Sequence, residues 1–286
     1  MIPTASGLAA LVERYDLYLV DQFGVLHDGE SAYPGAIDAL VRLKQAGKTV
    51  ILISNSGRRA AGNEARLAAL GFARSSWDLF VSSGEVAWAR IARDEVPVAT
   101  AARPLRCLLV NRRGEESAVA GLPLALVAAA EDADFVLITG SDGDVRPLDH
   151  YRALLGPAAD RALPCLCANP DKVMVLADGT GFGAGRIADL YAELGGPVTW
   201  IGKPYPEIYR FALEEAGRLG PLPPATRMIG IGDSLEHDIA GARRSGFAAA
   251  LVTSGIHRDD DPSALAAAMA AHAAPDFLLP SFSWSD

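Results

Sequence analysis

Four short segments of the chain contain carboxylate, lysine or hydroxyl side chains that could take part in a reaction. They are residues 21–26 (Asp-Gln-Phe-Gly-Val-Leu), 54–56 (Ser-Asn-Ser), 202–204 (Gly-Lys-Pro) and 232–238 (Gly-Asp-Ser-Leu-Glu-His-Asp). A carboxylate can act as a nucleophile or bind a hard cation such as Mg²⁺. A serine followed by backbone amides at the start of a helix can hold an anion, and a lysine adds fixed positive charge. Together these residue types are typical of a site that transfers an anionic group.

Three of these segments follow stretches that predict strands, namely 17–20, 49–53 and 228–231, which are apolar as expected of central parallel strands. A further strand is predicted at 248–252, and helices are predicted at 6–14, 34–46, 58–70, 239–244 and 264–274. Strands that alternate with helices indicate an α/β fold with a doubly wound, Rossmann-like, mostly parallel sheet. Ligands bind such sheets beyond the carboxyl ends of the strands. Asp21, Ser54 and Asp233 should therefore converge on one crevice.

Between these two halves lies a segment with strands and helices of its own. Strands are predicted at 105–111, 134–140, 163–168 and 173–176, and helices at 118–130 and 149–155. We therefore expect an inserted α/β domain at 87–198 and a main domain formed by 1–86 and 199–286.

Composition and charge narrow the class of protein. Half of the 286 residues are hydrophobic and the formal net charge is −9, so a folded core is expected and a nucleic-acid partner is not. We find no apolar run long enough to span a membrane and no pattern typical of a signal peptide. Cys107, Cys165 and Cys167 include no CxxC pair, which favours free thiols in a reducing compartment. We therefore expect a cytoplasmic protein.

The four segments resemble, in order, the four motifs of the haloacid dehalogenase superfamily. Residues 33–36 (Tyr-Pro-Gly-Ala) and 202–209 (Gly-Lys-Pro-Tyr-Pro-Glu-Ile-Tyr) narrow the resemblance to the subfamily that includes nucleotide and pyridoxal-phosphate phosphatases. In that subfamily an α/β cap domain is inserted between the second and third motifs, where we expect the insertion here.

The resemblance implies a role for each site residue. Asp21 would attack phosphorus and form an aspartyl-phosphate, with Lys203 as the second catalytic residue. Mg²⁺ would be held by Asp21, the backbone carbonyl of Phe23, Asp233 and Asp238. The residues that would bind phosphate or substrate are Ser54, Asn55, Ser56, Arg58 and Asn169. A turn explains 169–171 (Asn-Pro-Asp) equally well, and Arg58 is equally consistent with a solvated position.

Phe23 departs from the motif, because phosphatases of the superfamily carry an aspartate there. That aspartate protonates the leaving alkoxide, and general acid–base help of this kind is worth about 10²–10⁴-fold in rate. Haloacid dehalogenases tolerate an aromatic residue at this position, but they do not need Mg²⁺. His27 is a candidate substitute for the acid, but its sequence context favours a surface histidine near a turn.

We therefore predict a Mg²⁺-dependent hydrolase that removes phosphate from a small phosphorylated metabolite. The alternatives are a dehalogenase-like or phosphonate-cleaving enzyme and a weakly active protein that binds a phosphorylated metabolite. We expect no nucleic-acid or membrane partner. The resemblance leaves open a homodimer formed through the cap.

Overall fold

The structure, a computed structural model, describes residues 2–98, 103–176 and 179–285. The chain divides into two compact units. The first unit comprises Met1–Ser54, Ala61–Val81 and Lys203–Asp286, and the second comprises Asn55–Ala60 and Ser82–Gly202. We had expected the inserted domain at 87–198, whereas the long segment of the second unit begins five residues earlier and ends four residues later. The short segment Asn55–Ala60 was not expected to belong to it.

Strands and helices alternate along most of the described chain. In chain order they are β1 (Leu17–Val20), α1 (Ala36–Gln45), β2 (Thr49–Ser54), α2 (Ala60–Ala69), β3 (Leu79–Ser82), α3 (Ser83–Ala92), β4 (Leu105–Val110), β5 (Leu124–Val127), β6 (Phe135–Ile138), α4 (Leu148–Asp160), β7 (Cys165–Cys167), β8 (Val173–Leu176), β9 (Gly179–Phe182), α5 (Ala184–Glu193), β10 (Val198–Trp200), α6 (Pro206–Leu219), β11 (Met228–Gly232), α7 (Ala240–Arg244), β12 (Ala248–Val252), α8 (Pro262–Ala271) and β13 (Phe277–Leu279).

The first unit is built on a six-stranded sheet with the order β13-β12-β11-β1-β2-β3. The pairings of β1 with β2 and β11, of β11 with β12 and of β12 with β13 are parallel. All four residues of β1 are buried, as a strand covered on both faces requires. In register, Val20 lies opposite Leu52 and Ile231. The carboxyl ends of β1, β2 and β11 therefore lie at the same edge, and the predicted α/β fold is confirmed.

The second unit has its own five-stranded sheet, with the order β10-β7-β6-β4-β5 and parallel pairing throughout. A hydrophobic cluster of its own stabilises it, in which side chains of β6 and β7 pack against α4 and α5. Strands β8 and β9 form a separate antiparallel pair. Because it has a sheet and a core of its own, this unit fits the description of a domain.

Two predicted helices were wrong. Residues 118–130 contain two short 3-10 turns and strand β5, because Gly121 and Pro123 interrupt the alanine-rich stretch and the next residues pair with β4. Residues 6–14 contain only the 3-10 helix Leu8–Ala10 followed by turns. An i, i+3 apolar spacing fits a 3-10 turn as well as an α-helix.

No helix in the described ranges combines the length and the apolar character that crossing a bilayer requires.

Candidate active site

The Asp21 carboxyl lies directly after β1 and is 7% exposed. Its backbone amide donates to the carbonyl oxygen of Ile231 at 2.9 Å, which ties it to the end of β11. The chain then makes a tight loop, in which Leu26 and His27 donate their amides to the carbonyl oxygen of Gln22. This loop fixes the position of Asp21 from both sides.

Lys203 lies between two of the predicted acidic residues. Its Nζ is 2.5 Å from Oδ1 of Asp21 and 2.6 Å from Oδ1 of Asp238, and the lysine is 3% exposed. Burial alone would lower the pKa of Lys203, but the carboxylates of Asp21 and Asp238 raise it above its usual value. The lysine is therefore a permanent positive charge in contact with the predicted nucleophile.

Asp233 and Asp238 are positioned by the end of β11 and by a single turn of π-helix, Leu235–Ile239. This turn brings Asp238 back towards the strand, where its Oδ2 accepts a hydrogen bond from the amide of Ser234 at 3.0 Å. Oδ2 of Asp233 accepts from the amide of Ile256 at 3.0 Å. Such π-turns occur frequently at functional sites.

Glycine is required beside Asp233. Gly24 has a φ of +85°, and a Cβ atom at this position would lie 2.0 Å from Oδ2 of Asp233. The backbone of the Asp21 loop therefore approaches the Asp233 carboxylate more closely than any residue with a side chain would permit.

The three buried carboxyl groups of Asp21, Asp233 and Asp238 form a set that fits a hard divalent cation. One oxygen from each lies within 4.8 Å of the others. Burial raises the pKa of Asp21 well above its usual value, although Lys203 opposes this. Burial, and then the charge of Asp238, raise the pKa of Asp233 to about 7. When all three are ionised, one ammonium group does not balance them, and a cation with oxygen ligands would.

Ser54 closes the same edge of the sheet at the end of β2 and is 5% exposed. Its Oγ accepts a hydrogen bond from Nε2 of Gln22 at 2.9 Å. The residue next to the predicted nucleophile thus holds the predicted phosphate-binding hydroxyl. Sequence reasoning gave Gln22 no role, because only the pairing of β1 with β2 brings its side chain to Ser54.

The remaining predicted phosphate- and substrate-binding residues, Asn55, Ser56, Arg58 and Asn169, belong to the second unit. There, Nδ2 of Asn55 donates to Oδ1 of Asp171 at 2.7 Å, and Oδ1 of Asn169 accepts from the amide of Asp171. The structure therefore brings Asn55 to the segment that contains Asn169, and the Asn169 side chain caps a turn. Oγ of Ser56 accepts from the amide of Arg58. Their roles in binding stay predictions.

The short segment Asn55–Ala60 is held by several contacts inside the second unit. Arg58 pairs with Glu115 at 2.8 Å, and the Arg59 guanidinium donates two hydrogen bonds to Glu85 while stacking on Trp88. Glu85 also accepts from the amide of Ala60. Residues 83–85 (Ser-Gly-Glu) resemble the hinge that leads into the cap of the subfamily, but the sequence did not predict the partners of the Glu85 side chain, which lie 25 and 26 positions away.

The structure differs from the sequence-based expectation at His27, which contacts Phe23. His27 is 1% exposed, so the surface interpretation was wrong. Its Nδ1 accepts from the amide of Gly29 at 3.0 Å, and burial lowers the pKa of the ring to about 4. Phe23 is 45% exposed and contacts the His27 ring edge to face, with 5.8 Å between ring centroids.

Comparison with known proteins agrees with the four motifs. Residues 18–152 match the family described as haloacid dehalogenase-like hydrolase, and residues 200–284 match one described as HAD-hydrolase-like. Chronophin from Homo sapiens is 30% identical over 277 residues, which cover 92% of this chain and 89% of chronophin.

Solved structures show the same relationship. The crystal structure of a haloacid dehalogenase-like family hydrolase from Brucella suis 1330 is similar with a TM-score of 0.81 and 32% identity, over 97% of this chain and 99% of that one. A glycerol phosphate phosphatase from Mycobacterium tuberculosis, crystallised with calcium, has a TM-score of 0.65 and 25% identity, over 86% and 68% of the two chains.

The chain belongs to the haloacid dehalogenase-like hydrolases. Within that superfamily it is an enzyme of the phosphatase subclass in which an α/β domain is inserted between the second and third motifs.

Proposed function

We propose that this phosphatase uses Asp21 as its nucleophile and a Mg²⁺ ion to remove phosphate from a small organic phosphoester. The observation that carries the proposal is Lys203, buried between Asp21 and Asp238 in a cluster that also contains Asp233. Burying three carboxylates around one ammonium group costs free energy, and ionisable groups buried in this way cluster at functional sites.

In the first step, an oxygen of the Asp21 carboxylate forms a bond to phosphorus while the bond from phosphorus to the leaving oxygen breaks. The leaving oxygen keeps the bonding electron pair. Lys203 lies against the attacking carboxylate and reduces the repulsion between it and the anionic phosphoryl group. In the second step, water attacks phosphorus, and the electrons of the broken bond return to Asp21 while the water proton leaves with phosphate or solvent.

The residues that would hold Mg²⁺ are Asp21, Asp233 and Asp238, with the backbone carbonyl of Phe23 as the fourth protein ligand. The bound ion supplies positive charge to the phosphoryl oxygens. The calcium in the related glycerol phosphate phosphatase supports a divalent cation. Ser54, held by Gln22, would donate to a phosphoryl oxygen, and we propose that Asn55, Ser56, Arg58 and Asn169 contribute to substrate binding.

The test is turnover of a panel of phosphoesters, with Mg²⁺ and with a chelator, by the native enzyme and by Asp21→Asn. We expect activity only with the cation and only with the aspartate, and acid-quenched native enzyme should carry a phosphoryl group on the Asp21 peptide. Asp38→Asn is a matched control, because Asp38 is an exposed residue of α1 paired with Arg42. Turnover that persists in Asp21→Asn would exclude the nucleophile.

Phe23 favours one second candidate, a dehalogenase-like or phosphonate-cleaving activity, since carbon–halogen cleavage needs no proton donor. Halide release without added Mg²⁺ would support it. The buried carboxyl cluster argues for the phosphatase. The other alternative, a protein that binds a phosphorylated metabolite with weak turnover, would show ligand-dependent stabilisation without phosphate release.

Two further expectations are part of the proposal. Cys107, Cys165 and Cys167 are free and buried, which supports a reducing compartment such as the cytoplasm. A homodimer through the second unit would have strand β5 available as an edge, where Leu126 is 44% exposed. Sedimentation or light scattering of the native protein and of Leu126→Lys tests the dimer, and a charge at this edge should dissociate it.

A further inference from the structure

Phe23 places an apolar ring where the motif of related phosphatases has an aspartate that donates a proton. The ring is 45% exposed, although the neighbouring Asp21 and Gln22 are each 7% exposed. Because it projects from the loop that carries the proposed nucleophile, it is available to contact a substrate. It carries no proton to donate.

The charged side chains that act on Asp21 are those of Lys203, Asp238 and Asp233. Lys203 contacts Asp21 and Asp238, and the three carboxylates are the proposed cation ligands. Nδ1 of His27 accepts a hydrogen bond from the amide of Gly29, and Nε2 of the same ring is buried. Among the described residues of the first unit, the Tyr33 phenol lies within electrostatic range of Asp233 and is a candidate proton donor, and it shares a hydrogen bond with Arg258.

From this arrangement we propose that the enzyme is selective for phosphate carried on a leaving group that departs as a stabilised anion, namely an aryl or acyl phosphate. The inference rests on the proposed function and adds the substrate class. When Asp21 displaces such a group, the leaving oxygen keeps the electron pair and needs no proton. An alkyl phosphate would instead release a strongly basic alkoxide, which requires an acid in the transition state.

The Phe23 ring adds a second reason for an aromatic leaving group. Aromatic rings pack against one another in offset or edge-to-face arrangements, and such contacts add to the attraction that comes from the buried area. Because Phe23 uses one edge contact with His27 and leaves nearly half of its surface exposed, an aryl group has a ring to pack against.

The test measures kcat/KM with Mg²⁺ for 4-nitrophenyl, phenyl, acetyl and glycerol phosphates. This ratio includes every step up to departure of the leaving group. We expect it to rise steeply as the leaving group becomes more acidic, with the alkyl ester about 10²–10⁴-fold below the activated esters. For activated substrates kcat should approach one common value, because all of them share the hydrolysis of the same aspartyl-phosphate. If acetyl phosphate is cleaved but aryl phosphates are not, the ring contact has no role and the part of the proposal that concerns aryl groups is overturned.

Two substitutions at Phe23 separate the gain of a proton donor from the loss of the aromatic ring. Phe23→Asp should raise kcat/KM for glycerol phosphate at least tenfold, because the carboxyl group can donate a proton. Phe23→Asn has the same shape as the Asp variant but no acidic proton, so kcat/KM should depend on the leaving group as steeply as in the native enzyme. Tyr33→Phe should not lower kcat/KM for glycerol phosphate more than it lowers kcat/KM for the activated esters. A selective loss there would identify Tyr33 as the acid and overturn the proposal.

The possible failures are distinguishable. If no phosphate ester is cleaved with Mg²⁺, the proposed function itself is refuted. If all esters are cleaved at similar kcat/KM, the phosphatase stands and the selectivity does not. The comparison of substrates on the native enzyme decides this even where a Phe23 variant does not fold.

Discussion

Replacing Lys203 by Met removes the only positive charge that the structure shows in contact with both Asp21 and Asp238, at 2.5 and 2.6 Å. Methionine has a similar length and no charge, so the change leaves the volume of the site nearly intact. Two buried carboxylates lose their partner. Breaking a buried ion pair by removing one member costs about 3–5 kcal/mol, which corresponds to a fall in Tm of roughly 6–20 °C for a chain of this size.

The assay is thermal unfolding of the native protein and Lys203→Met, each with a chelator and with saturating Mg²⁺. A cation at the three carboxylates would replace part of the lost charge, so Mg²⁺ should raise the Tm of Lys203→Met more than that of the native protein. At a concentration 100 times Kd, a ligand of the folded state adds about 2.7 kcal/mol. Activity should be lost in both conditions, because the charge beside the attacking oxygen is missing.

Lys172→Met is the matched control, since Lys172 pairs with Asp189 at 3.0 Å with half of its side chain exposed. An exposed ion pair of this kind is worth at most about 1 kcal/mol. If Lys203→Met loses no more stability than Lys172→Met in the chelator, then the buried cluster is not held by the lysine and the reasoning is refuted.

Three other substitutions test separate parts of the site. Gly24→Ala should abolish Mg²⁺-dependent stabilisation, because the new Cβ would lie 2.0 Å from Oδ2 of Asp233. The control is Gly47→Ala, which is also at positive φ but has nothing within 4 Å and should cost only about 1 kcal/mol of stability. Equal effects of the two substitutions on thermal unfolding with and without Mg²⁺ would contradict this. Gln22→Leu should weaken inhibition by inorganic phosphate about 2–12-fold, the value of one lost hydrogen bond to Ser54, and unchanged inhibition would show that Gln22 does not position it. Burial alone would raise the pKa of Glu85, but hydrogen bonds from Arg59 and from the amide of Ala60 hold it below its usual value. The stability that ionised Glu85 contributes is therefore present above the ordinary pKa of about 4.3 and is lost as pH falls through the folded pKa. The urea midpoints of the native protein and of Glu85→Gln should therefore converge on acidification.

The sequence predicted the strands around the site to within one residue, for a physical reason. Strands β1, β2 and β11 are buried along nearly their whole length, so each is mostly apolar up to a polar residue or glycine at its carboxyl end, namely Asp21, Ser54 and Gly232. Local composition was enough to place Asp21, Ser54 and Asp233 at one edge of the sheet.

Edge strands and side-chain partners could not be predicted in this way. Strand β5 lies at the edge of its sheet in an alanine-rich stretch, and its pairing with β4 outweighs the helix propensity of alanine. The contacts of Gln22 with Ser54 and of Glu85 with Arg59 join residues far apart in sequence. His27 was placed at the surface because a turn is usually exposed, whereas the loop folds its ring inward.

Because Asn55–Ala60 belongs to the second unit, exchanging the inserted domain between related proteins involves two separate segments of chain. The inserted domain is not a single cassette, because Gly57 leaves no room for a Cβ against the carbonyl oxygen of Thr139 and Arg59 is anchored on Glu85. A chimera that transplants only Ser82–Gly202 would join a foreign domain to a hexapeptide shaped for the original one. Recombination that preserves function must therefore move both segments together, so the residues directly after Ser54 are inherited with the insert rather than with the strand that precedes them.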